Sequence, residues 1–183
     1  MNFFDMLLIG CVLLPVLAAP VPYLMRKKSK ASDLFVSLVC AAILVFTLVL
    51  IGNPTAVSIP GVFQLGLSFA NGGIQTVYAV ICAFMFFMSS LADPAYFRGE
   101  PRNERYRAFT LLTLGGIMGV FLVGDLLTLY VFFETMSMAS WVWVAHNETK
   151  KAQKAADTYL AMAMIGGLTM LYGLFVIYHD FTH

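Results

Sequence analysis

An all-α, polytopic membrane protein is the fold class this sequence predicts, and three observations predict it. Only 11% of the 183 residues are charged, against about 25% in soluble domains. Six mostly apolar segments, roughly 3–25, 33–52, 74–92, 107–123, 125–146 and 156–178, approach or exceed the twenty or so residues that cross a hydrocarbon core about 30 Å thick. The basic residues collect between alternate pairs of those segments, as they do in proteins that cross a bilayer repeatedly. Net charge is only +1, so nucleic acid is not an expected partner. The lipid bilayer is.

The first segment lies in MNFFDMLLIGCVLLPVLAAP. It lacks the positive leading region of a signal peptide, and Asp5 puts the opposite sign there. RKKSK follows soon after the apolar run, so a retained first spanning helix is expected. Apolar residues cover every face of the six segments, which argues against amphipathic surface helices. The connection 53–73, NPTAVSIPGVFQLGLSFANGG, is broken by Pro and Gly and reads as a long loop rather than a span. Gly124 and Asp125 leave room only for a tight hairpin between the fourth and fifth segments. Residues 1–183 are expected to form a single membrane domain, with no soluble domain, internal repeat or linker.

All eleven basic residues fall in three clusters. Arg26, Lys27, Lys28 and Lys30 follow the first segment. Arg98, Arg102, Arg105 and Arg107 follow the third, and Lys150, Lys151 and Lys154 follow the fifth. Six crossings put these loops on one face, and the positive-inside rule makes that face cytoplasmic. Both termini are then expected outside, in the cell membrane of a bacterium or archaeon.

One residue asks for a chemical explanation. Glu134 lies in DLLTLYVFFETMSMASW, roughly 13 Å along a helix from Asp125 and close to the bilayer midplane. A charge there costs at least a few kcal/mol on insertion scales. Burial favours the neutral form of any carboxyl, and a nearby cation favours the charged form. An acid held between those influences exchanges protons, which is what a relay site requires. The bland alternative is a neutral, hydrogen-bonded acid that fastens helices together. No Lys, Arg or His lies at that depth in the six segments, so a cationic partner would have to come from another polypeptide.

Around it, Thr135, Ser137 and Ser140 offer hydroxyls that could extend a polar path or bond backbone carbonyls. Asp125 is placed to cap the fifth helix at the positive end of its dipole, or to admit ions. His146 stands at the basic end of the same helix, where an imidazole can pass protons or simply sit at a wet boundary. His179 and His183 lie at the opposite side, so no facing haem ligands are available. Cys11, Cys40 and Cys82 sit in apolar runs with no metal or disulfide spacing. Gly115, Gly116 and Gly119, and Gly166 and Gly167, signal close helix packing. Trp141, Trp143 and Tyr106 are suited to anchor the inner boundary. No nucleotide loop, nucleophile triad or metal set appears, so neither cofactor nor self-contained catalysis is expected.

Residues 105–146, RYRAFTLLTLGGIMGVFLVGDLLTLYVFFETMSMASWVWVAH, resemble the antiporter-like subunits shared by respiratory complex I, Mrp-type cation/proton antiporters and energy-converting membrane-bound hydrogenases. The pattern is a glycine-containing fourth helix, a turn with Asp, then a run like LLTLYVFFE followed by M-S and an aromatic. The first three segments match more loosely, with Asn71-Gly72-Gly73 where an Asp-Gly pair is expected. The resemblance implies that Glu134 is the helix-five proton-transfer acid, working with a lysine on a seventh helix. It implies the amino-terminal part, helices one to six, of such a subunit in a redox-driven ion-pumping complex, with other membrane subunits as partners. One of them would supply the lysine-bearing helices. A purely structural or assembly subunit, and a small homo-oligomeric carrier, are the alternatives.

Overall fold

The computed structural model describes residues 2–25, 29–60, 66–96 and 103–182. Arg26, Lys27, Lys28, Arg98, Arg102 and His183 lie outside them. Among the described residues the order is α1 (Phe3–Ala18), α2 (Pro20–Leu24), α3 (Ser29–Val49), β1 (Ala56–Ile59), β2 (Leu67–Ala70), α4 (Gly73–Tyr96), α5 (Asn103–Phe121), α6 (Leu126–Val144) and α7 (Lys150–Thr182). The six expected segments correspond to α1 with α2, then α3, α4, α5, α6 and α7. The all-α, multi-pass expectation stands.

The first crossing is interrupted where Pro20, which has no N–H to donate, begins α2 as its first residue. Five crossings are long and apolar enough to span a membrane by length and composition. α5 is the sixth and does not meet that measure, because its first residues include Glu104, Arg105 and Arg107. It is the central helix, burying Leu111, Thr113, Leu114, Gly115, Gly116, Met118 and Gly119 against its neighbours, so protein rather than lipid surrounds it. Glycine makes that close packing possible. A Cβ at Gly119 would run into the Phe132 ring, and one at Gly116 would meet the Met136 backbone at about 3.0 Å. α7 is the opposite case. Its 33 residues are mostly exposed, with Met162, Ile165, Leu168, Tyr172 and Phe175 facing outward.

Sequence reading shortens some elements. α5 begins at Asn103 and α7 at Lys150, so Arg105, Arg107 and Lys154 belong to helices and not to connecting loops. Arg107 is 5% exposed and ion-paired with Asp33 of α3. Arg105 meets Glu148 at 2.9 Å.

The connection 53–73 holds a feature the sequence did not announce. β1 and β2 pair antiparallel, Ala56 opposite Ala70 and Ile59 opposite Leu67. β2 then straps the α5–α6 turn. Ala70 N–H donates to the Leu122 carbonyl (3.0 Å), and Gly124 N–H donates to the Ser68 carbonyl (2.8 Å). Phe69 is fully buried and packs edge-on to Phe132, their centroids 5.6 Å apart.

Asn71 locks the strap to the end of α3. Its amide oxygen accepts from Thr55 N–H and Oγ1 (2.6 and 2.8 Å), and its amide nitrogen donates to the carbonyls of Leu50 and Asn53 (3.1 and 3.0 Å). A carboxylate here would keep the two acceptor bonds and lose both donors. Asn71→Asp is therefore expected to destabilise the fold by about 2 kcal/mol or more, since two carbonyls lose their partner and face an anion. Thermal unfolding in detergent measures it.

Candidate functional site

The site is built on α6 from its first residue. Asp125 precedes the helix in extended conformation (φ −148°), and its carboxylate accepts from Thr128 N–H and Thr128 Oγ1, both at 2.7 Å. The same Thr128 hydroxyl lies 3.0 Å from Ser68 N–H and accepts from it. Asp125 thus caps α6 and ties its amino end to the β strap. Asp125→Ala should cost about 1 kcal/mol, seen as a lower melting temperature, with helix content otherwise unchanged by circular dichroism.

From that fixed end, Glu134 stands near the middle of the 19-residue helix, roughly 12 Å from Leu126. It faces α7. Its Oε1 atom is buried and finds no hydrogen-bond partner among the described residues. The surface it meets is the Gly167 backbone, where any β-carbon would collide with the carboxyl. The carboxyl is therefore turned into the α6–α7 seam, away from the α5 side.

The hydroxyls near it divide between the two roles that sequence left open. Thr135 Oγ1 donates to its own helix at Val131 (2.8 Å), which spends it on backbone. Ser137 is buried, and its carbonyl accepts from Ser140 Oγ (3.0 Å). Ser140 Oγ is also hydrogen-bonded to Tyr159 OH across the seam (2.7 Å). That pair is the cross-helix polar contact the sequence analysis missed. Tyr159 sits in α7, whose register against α6 is not written in either helix alone.

Beyond Ser140 the seam opens into a cleft of about 620 Å³ lined by Arg105, Trp141, Glu148, Gln153 and Asp157 among others. His146 lies at this end with its ring 5.4 Å from that of Tyr106. It is roughly 18 Å from Glu134 along the axis, by twelve residues of helical rise. Asp125, Glu134, Ser137 and His146 are thus spread along one helix and do not form a cluster. Among the described residues no group of three or more His, Cys, Asp or Glu could hold a metal ion.

Comparison with known proteins places this arrangement. Residues 123–182, which contain α6 and α7, match the family described as NADH:quinone oxidoreductase/Mrp antiporter, transmembrane region. A Staphylococcus haemolyticus protein named antiporter subunit mnhD2 is 28% identical over 94% of this chain and 36% of its own length. A Rhizobium meliloti protein, named as one of the subunits of a K⁺/H⁺ antiporter, is 33% identical over 97% of this chain and 35% of its own. The chain therefore spans about a third of the length of the curated relatives it matches. One chain in the structure of the membrane-bound sulfane sulfur reductase, an archaeal respiratory membrane complex, superposes with a TM-score of 0.81 at 24% identity. The match covers 94% of this chain and 37% of that one, a likeness of fold. Family pattern, relatives and fold agree, and the chain belongs with the antiporter-like membrane subunits of the complex I and Mrp antiporter family.

Proposed function

We propose that this chain is a membrane subunit of a redox-driven or cation-exchanging ion-translocating complex, and that Glu134 is its proton-transfer group. One observation carries the proposal. A carboxyl near the middle of a spanning helix has a buried oxygen with no hydrogen-bond partner among the described residues, and the six segments hold no Lys or Arg at its depth. Such an acid is costly as scaffold and useful as a relay, provided a cation approaches it. The reading assigns that cation to a lysine on another polypeptide of the complex, and the basic connections to the cytoplasmic face. The Ser140–Tyr159 pair and the cleft beyond it lie on the same seam and offer protons a polar approach from that face.

Two measurements test this. Mild-detergent purification should recover the chain with further membrane subunits, one of them bearing a lysine that crosslinks to a cysteine placed at Met138, one turn from Glu134. Glu134→Gln should stop ion movement in the assembled complex. A chain that purifies only with itself and still moves ions would overturn the shared-subunit reading. Undiminished transport in the glutamine variant would leave an assembly subunit.

A further inference from the structure

Adjacent glycines on α7 have opposite surroundings. A β-carbon on Gly166 would have nothing within 4 Å. One on Gly167 would strike Glu134, with Oε1 the nearest atom and the carboxyl carbon next. Gly167 is also buried, whereas Gly166 is exposed along with most of its neighbours on the helix. The atoms in the way at Gly167 belong to the end of a side chain with three rotatable bonds. A methyl group there would leave the helix backbones where they are and would turn the carboxyl elsewhere.

From this we infer that Gly167 is a positioning residue: its missing side chain is the notch that seats the Glu134 carboxyl in the α6–α7 seam. The functional half of the inference rests on the reading of Glu134 as a proton-transfer group. The seat itself does not. Without the notch the carboxyl swings out of the seam and toward lipid.

The test compares Gly167→Ala with Gly166→Ala in native membranes. Both replace glycine by alanine in the same helix, so their effects on helix propensity match and any difference belongs to the notch. Dicyclohexylcarbodiimide, an apolar reagent for carboxyls, is the probe, and mass spectrometry of the Glu134 peptide gives the labelling rate. Gly167→Ala should raise that rate several-fold, with Gly166→Ala matching the native protein. Ion transport should fall about tenfold or more in Gly167→Ala, within the roughly hundredfold that misplacing a reacting group by about an ångström can cost. Adding Glu134→Asp, one methylene shorter, should cost less in the Gly167→Ala background than in the native one.

Equal or slower labelling in Gly167→Ala would overturn the seat, whatever Glu134→Gln does to transport. Faster labelling with undiminished transport would uphold the seat and remove Glu134 from the relay. Should Gly167→Ala fail to accumulate, Glu134→Ala in the same chain decides. Restored accumulation identifies the carboxyl as the obstacle; failure to restore it rejects the seat.

Discussion

Glu134→Gln should lower ion translocation by about a hundredfold or more, the lower range of what a positioned acid–base group contributes, while the complex assembles at native levels. Glutamine keeps the length and nearly the shape of glutamate, so the fit against Gly167 survives. It removes the exchangeable carboxyl proton and the ability to carry charge. The expected result is thus a loss of transport with no loss of stability. Everted membrane vesicles with a pH-sensitive dye report the first, and recovery of the purified complex reports the second. A scaffold acid held neutral would behave oppositely, because a neutral amide fills that place equally well. Glu134→Asp separates position from charge. It retains the carboxyl but ends short of the notch, and an intermediate rate is expected.

The largest effect on stability should come from Arg107→Leu. Arg107 of α5 is 5% exposed, and the Asp33 side chain of α3 with which it pairs is 14% exposed. Asp93 of α4 lies within electrostatic reach of both. Together the three groups join three crossings at the end where the basic connections lie. Removing one partner of a buried pair leaves an acid without compensation, and such changes cost about 3–5 kcal/mol. The chain should accumulate poorly and melt many degrees lower in detergent. Pairing Arg107→Leu with Asp33→Asn should recover much of the loss, because the second change removes the stranded acid. If the double variant is no better than the single one, Arg107 acts through its packing rather than its charge.

Several features were legible before any coordinates. Hydropathy marks all six crossings, because each must satisfy its backbone internally in an apolar surrounding. For α5 it marks 107–123, while the helix itself starts four residues earlier, with Asn103, Glu104 and Arg105. Asp125 could be read as a cap because capping is local, settled within one turn of helix. The depth of Glu134 followed from counting residues along α6. His146 and Ser137 were singled out by their position on the same helix. The fold separates His146 from Glu134 and leaves Ser137 buried, its carbonyl bonded to Ser140.

The sequence by itself determined an apolar, multi-helix chain with one acid at mid-depth and its basic residues in three clusters between alternate helices. These depend on composition and on rise per residue. Only the tertiary structure decided what that acid touches. Lipid-facing and helix-facing positions are both apolar in a membrane, so periodicity does not say which side of α6 meets α7, or at what register. The Gly167 notch, the Ser140–Tyr159 contact, the Arg107–Asp33 pair and the Asn71 lock each join residues far apart along the chain or on different helices. Their energies arise from close approach, which no single helix encodes.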